Sequence, residues 1–162
     1  MKKKFDTDFY AYGGYGWASG SPAVLRDRIK AALPSFERLR RKVKFDVIAF
    51  TGSSGACIAF TLAYETEIPL LYVRKPGEKS HGSRIESNAG KTVKKYLIVD
   101  DFIDSGDTIR NIVKRIDRAC SMREVNAPKP VGVFLFDTSV SIPPKVSLNE
   151  DTWLKCWSPE NC

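Results

Sequence analysis

Residues 96–108, YLIVDDFIDSGDT, constrain this chain more than any other stretch. An apolar strand (Tyr96, Leu97, Ile98, Val99) runs straight into two carboxylates, Asp100 and Asp101. Two apolar residues follow, then the small polar turn Asp104-Ser105-Gly106-Asp107-Thr108, then a helical pattern over residues 109–119. A strand that turns at once into a helix presents free backbone N–H groups at the helix start, and these cradle an anion. Capping by Asp104 or Ser105 would account for the turn, but it does not call for an acid pair at the strand end. Two acids beside an anion cradle suit the hydroxyls of a sugar whose phosphate the cradle holds.

The chain has 162 residues, enough for one domain with a real core. Its 43% hydrophobic and 28% charged residues read as globular. No apolar run has the length of a membrane span, and Lys2–Lys4 leads into Phe5-Asp6 rather than an apolar leader. Cys57, Cys120, Cys156 and Cys162 show neither CxxC spacing nor a disulfide framework, so the reducing cytoplasm is the expected compartment. The formal net charge is +7, and residues 26–44 hold eight Arg or Lys against two acids, a local balance of +6. With no nucleic-acid-binding module beside it, that stretch reads as a solvated helix face rather than a nucleic-acid surface.

Residues 1–20 put six aromatics among Gly and Ser without periodicity; they read equally as an arm on a partner subunit or as a lid. Ser21-Pro22 opens a helix that runs to about Ala32, and a further turn or two after Pro34 ends in Arg40-Arg41-Lys42. Strand-like runs lie at residues 45–51, 69–73, 96–100 and 131–136, with helices between the first two and the last two. Near-continuous apolar strands alternating with helices predict an α/β fold, a parallel sheet flanked by helices. Residues 74–92, rich in Lys, Gly and Ser, form a loop too long to be idle.

The segment at 96–108 resembles the PRPP-binding motif of type I phosphoribosyltransferases, in the order apolar strand, acid pair, two apolars, acid, Ser-Gly-x-Thr. The resemblance covers residues 45–137 well, the C-terminus loosely and the first forty residues hardly at all. It implies a single domain over 1–162: a sheet of about five parallel strands, an N-terminal arm at 1–20, a core at 45–137 and a small C-terminal hood at 138–162. It further implies that Asp100 and Asp101 hold the ribose hydroxyls directly or around Mg²⁺. Asp104, Ser105, Gly106, Asp107 and Thr108 would wrap the 5-phosphate. Family members usually carry a neutral or basic residue where this chain has Asp107. An acid facing a dianion is unfavourable, so the Asp107 side chain is expected to point to solvent and only its N–H to be used.

The turn Gly52-Ser53-Ser54-Gly55 occupies the place of the family's pyrophosphate loop but lacks the Arg or Lys that several members carry there. The spacing of Arg74, Lys75, Lys79, His81 and Gly82 resembles the catalytic loop of orotate phosphoribosyltransferases, whose cations meet the leaving pyrophosphate. His81, the sole histidine, is expected as a phosphate contact. Asp151-Thr152-Trp153-Leu154 resembles the hood of xanthine-guanine enzymes: Trp153 would stack on a purine beside Leu154, and Lys129 would meet an exocyclic oxygen.

The implied reaction is Mg²⁺-dependent transfer of the phosphoribosyl group from PRPP to a nucleobase, giving a nucleoside 5-monophosphate and pyrophosphate. Asp104 and Lys79 would be its catalytic groups, and the enzyme would be a homodimer. The hood and Asp104 point to a 6-oxopurine, the loop to an orotate-type base. A non-catalytic regulator that senses PRPP and binds nucleic acid or protein through residues 26–44 is the alternative from another class.

Overall fold

The computed structural model describes residues 22–78, 83–90, 92–138 and 140–162, with 22–25 described by backbone alone. The N-terminal arm predicted at 1–20 lies outside them. In chain order the elements are α1 (Pro22–Lys42), β1 (Val47–Phe50), α2 (Gly52–Thr66), β2 (Leu70–Val73), β3 (Ile85–Ser87), β4 (Lys95–Asp100), α3 (Asp107–Ser121), β5 (Lys129–Leu135), β6 (Lys145–Ser147) and β7 (Trp153–Trp157). They build a seven-stranded sheet in the order β3-β2-β1-β4-β5-β7-β6. The inner strands β2, β1, β4, β5 and β7 are mutually parallel, and β3 and β6 add antiparallel edges.

Alternation along the strands assigns the two faces. Leu97 and Val99 of β4 join Ile48, Phe50 and Phe134 against Phe36 and Leu39 of α1 and Ile58 and Leu62 of α2. Tyr96 and Ile98 point the other way, with Ala49, Val133 and Leu135, against Ile109, Ile112 and Ile116 of α3. Both faces of the inner strands are therefore covered, which is why these strands are almost wholly apolar. Phe36 meets Phe134 edge-on at 5.3 Å between centroids and closes the α1 side of the core.

Three expectations are corrected. Pro34 lies inside one continuous helix, α1, rather than between two. The buried Ala32, Phe36 and Leu39 on either side of it hold the helix together across the missing N–H. Residues 74–92 are not one loop, since β3 pairs with β2 through Val73↔Ile85 and Leu71↔Ser87. The C-terminal segment is not a separate hood but supplies β6 and β7 to the sheet, with Cys156 opposite Val133.

Candidate functional site at the carboxyl ends of the strands

Two helices begin at the C-terminal edge of the parallel sheet, and their first turns face one cavity of about 330 Å³. α2 starts directly after β1, where Gly52 takes φ +62°. α3 starts after the turn that follows β4, with Gly106 at φ +80° as its N-cap. Neither Thr51 nor Gly106 caps its helix with a side chain, although the Asp107 N–H at the start of α3 donates to the Ser105 hydroxyl at 3.3 Å, and helix starts of this kind suit an anion. The cavity is lined by Thr51, Ser53 and Ser54 from the first turn and by residues 100–109 from the second, and Lys75 reaches it from the end of β2.

Asp100 and Asp101 lie between the two helix starts. Their exposures are only 5% and 6%. Asp100 Oδ1 accepts the Asp101 N–H at 3.1 Å and the Ser54 hydroxyl at 3.5 Å, and Asp101 Oδ1 accepts the Phe102 N–H at 3.0 Å. Burial, then the charge of Asp101, pushes the Asp100 carboxyl up to about 7, against a weaker downward pull from Lys75. No described cation forms an ion pair with either acid. A buried pair of hard oxygen donors held this way suits a divalent cation whose remaining ligands come from a substrate.

Asp107 adopts the expected orientation: its side chain is 71% exposed. Its carboxylate accepts Arg110 Nη2 and the Ser105 hydroxyl, each at 2.8 Å, and these bonds hold it below the usual carboxylate range. Arg110 also donates to the Ser105 carbonyl at 2.6 Å and to the Ser147 carbonyl at 3.1 Å, tying the turn to the edge of the sheet. Asp104 and Ser105 are exposed at the mouth of the cavity, while Gly106 is buried. Of the other pyrophosphate residues, Gly55 is buried where α2 meets β4: a Cβ there would lie 3.2 Å from the Val99 carbonyl.

Among the described loop cations only Lys75 lines this cavity. Arg74 is engaged instead by Glu86 of β3, through Nε at 2.9 Å, and its guanidinium lies 5.2 Å from the Tyr72 ring centroid. Lys79 and His81 lie outside the described residues.

The three base-binding residues do not reach the site. Lys129 opens β5, whose far end, Leu135, is the residue opposite Asp100. Six strand steps put Lys129 about 20 Å away, at the other edge of the sheet. β7 runs parallel to β5 with Cys156 opposite Val133, which carries Trp153 to that same distant end. There the Lys145 ammonium sits 4.4 Å from the Trp153 ring centroid. Leu154 is buried in the core beside α3.

Other residues stand where these were expected. Phe102 and Ile103 line the cavity. Asp137, at the end of β5, donates its N–H to the Asp101 carbonyl at 3.0 Å and faces Arg28 at 3.6 Å. An acid closing an apolar strand was the available signal for Asp137, the same signal that marked Asp100. The basic stretch of α1 also has structural uses: Arg38 bonds Ser35 and the Cys162 carbonyl, and Arg40 bonds the Thr66 carbonyl and faces Glu37.

No protein-family model matches the chain. It is 33% identical over 101 residues to the orotate phosphoribosyltransferase of Thermococcus kodakarensis, covering 62% of this chain and 53% of that protein. It is also 29% identical over 91 residues to the transcriptional regulator GfcR of Methanocaldococcus jannaschii, covering 52% and 43%. The chain thus spans about half the length of the curated relatives it matches. Among solved structures, the orotate phosphoribosyltransferase of Aeropyrum pernix superposes with TM-score 0.50 at 19% identity, over 72% of this chain and 59% of that one. An adenine phosphoribosyltransferase gives TM-score 0.50 at 17% identity, over 86% and 81%. With its five parallel strands, flanking helices and antiparallel edges, the chain has the α/β fold of the phosphoribosyltransferases.

Proposed function

We infer that this chain binds PRPP and transfers its phosphoribosyl group to a nucleobase. The observation that carries this reading is the pair of uncapped helix starts flanking a buried acid pair in one cavity. The start of α3, with Ser105 and Thr108, takes the 5-phosphate. Asp100 and Asp101 take the ribose hydroxyls, and Ser53, Ser54 and Lys75 at the start of α2 take the pyrophosphate. Asp100 and Asp101 would also hold Mg²⁺, which neutralises charge on the pyrophosphate as it leaves. In the reaction the bond from ribose C1 to pyrophosphate oxygen breaks and a bond from C1 to a base nitrogen forms. Asp104 receives the proton that the base nitrogen gives up. The products are a nucleoside 5-monophosphate and pyrophosphate.

With Trp153 and Lys129 at the other end of the sheet, the 6-oxopurine reading rests on Asp104 alone. An orotate-type pyrimidine keeps Lys75 and gains the similarity to two orotate enzymes, so it is the first base to assay. The free cysteines agree with a reducing cytoplasm, and no described helix is long and apolar enough to cross a membrane. A homodimer is consistent with Phe60 and Tyr64, exposed one turn apart on α2. The similarity to GfcR favours one second reading, a PRPP-sensing module of a transcriptional regulator.

Pyrophosphate release from PRPP with orotate, adenine, hypoxanthine, guanine and xanthine decides between the two. Turnover with one base establishes the enzyme. Tight PRPP binding without turnover on any of them establishes the sensor.

A further inference from the structure

Five of the eleven described arginines form ion pairs, among them Arg26 with Asp27. Arg28 faces Asp137, Arg40 faces Glu37, Arg74 faces Glu86 and Arg110 faces Asp107. Among the cations that make no ion pair with a described carboxylate, Arg84, Lys114, Arg115 and Arg118 stand together. They surround a single cleft of about 190 Å³ on the outer side of α3, and none of its lining residues is acidic. Lys114, Arg115 and Arg118 fall on one helix face, and Met122 extends that face by a further turn. Arg84 comes from a different element, just before β3, and its carbonyl is anchored by the Arg74 N–H at 3.0 Å.

Helix-end chemistry accounts for Arg118, since a cation suits the last turn. It does not account for Lys114 and Arg115 in the middle of α3, or for Arg84 brought to them from across the chain. Like charges held together without an acid repel one another, and a bound anion relieves that repulsion. Ile85, Ala119 and Met122 give the cleft an apolar part of its lining, and Met122 is 78% exposed. A lining that sets cations beside apolar side chains matches a ligand with a flat apolar part and a chain of phosphates.

We propose that this cleft binds a nucleoside polyphosphate, with its phosphates on Arg84, Lys114 and Arg118 and its base over Met122 and Ala119. The site is distinct from the strand-end cavity, with which it shares no residue. A third cleft, of about 200 Å³, lies between them, bordered by Lys75 and Thr108 from one and by Asn111 and Arg115 from the other. One rigid helix, α3, thus carries the anion cradle at its N-terminus and the cation cluster along its body.

The test is calorimetric titration of the full chain with ATP while PRPP saturates the strand-end cavity. A further equivalent of ATP should bind. In R84Q/K114Q/R118Q its affinity should fall at least about tenfold, as expected for loss of several charge-assisted contacts. PRPP affinity should move less than twofold, and the α1 variant R41Q/K42Q/K44Q should bind ATP like the parent. Where the triple variant melts early, K114Q alone should lose about threefold or more. Competition of ATP with PRPP for one site, or undiminished ATP binding in the cleft variants, overturns the proposal. So does tighter binding of the oligonucleotide (rU)12 than of ATP at the same residues, which would make this a nucleic-acid surface. If PRPP does not bind at all, the comparison of ATP affinities between parent and cleft variants still decides the matter.

Discussion

A Cβ built on Gly52 would lie 2.6 Å from Lys75 Cε and 2.9 Å from its Nζ, so the lysine stem crosses directly over the glycine. The one described cation that reaches the cavity from the loop after β2 is therefore seated on the first residue of α2. Gly52→Ala is expected to lose on two counts. Its φ of +62° costs an L-residue about 1–2 kcal/mol, and the added methyl displaces Lys75. Thermal melts should show the first effect, and pyrophosphate binding, weakened at least about fivefold, the second. Lys75→Ala should reproduce the binding loss without the shift in melting temperature.

Asp100 makes pH the second test. Burial and the Asp101 charge push its carboxyl up to about 7, and the proposed binding of PRPP with its cation calls for the ionised form. Affinity for PRPP at saturating Mg²⁺ should thus weaken as pH falls below about 7, by up to roughly tenfold per pH unit. The ligand-free fold should behave in the opposite sense. The folded-state value lies above the unfolded one, so stability from this group is full at low pH and is lost as pH rises through about 7. Asp100→Asn removes that loss. It should raise the melting temperature of the ligand-free protein more at pH 8 than at pH 5, while abolishing PRPP binding.

The acid at position 107 is predicted to be tolerated rather than used. Its carboxylate is committed to Ser105 and Arg110 at the rim. Asp107→Asn should tighten PRPP binding by about two- to fivefold at low salt, and 0.5 M salt should erase most of the gain. A loss of affinity at both ionic strengths would show that the carboxylate shapes the turn.

Trp153→Ala supplies a negative control with content. The indole is 50% exposed beside Lys145, at the end of the sheet remote from Asp100. KM for the base should stay within about twofold and stability should change by less than about 1 kcal/mol. A large rise in KM would require a base site far from the cavity described above.

The parallel strands and the two turns that open α2 and α3 were legible because each rests on a local pattern. β1, β2, β4 and β5 are apolar runs, and Asp100-Asp101 and Gly52–Gly55 follow two of them directly. β7 was not legible as an inner strand, because WLKCW alternates polar and apolar residues and its pairing with β5 spans the chain. The same long-range blindness misplaced Lys129, which looks close to the site in sequence order but stands at the wrong end of its strand. Pairings such as Arg28 with Asp137 or Arg74 with Glu86 leave no local trace. A count of basic residues in 26–44 therefore overstates the free charge of α1 and gives no hint of the unmatched cluster on α3.

The two border strands have a consequence of their own. β3 and β6 are three residues long and run against the direction of the five strands between them. A growing ribbon would need a long, flat and unpaired margin to copy, and each margin here is short and reversed. Lateral stacking of sheets between molecules is thus blunted at both sides, which among the described residues turns contact with another molecule toward the helical layers.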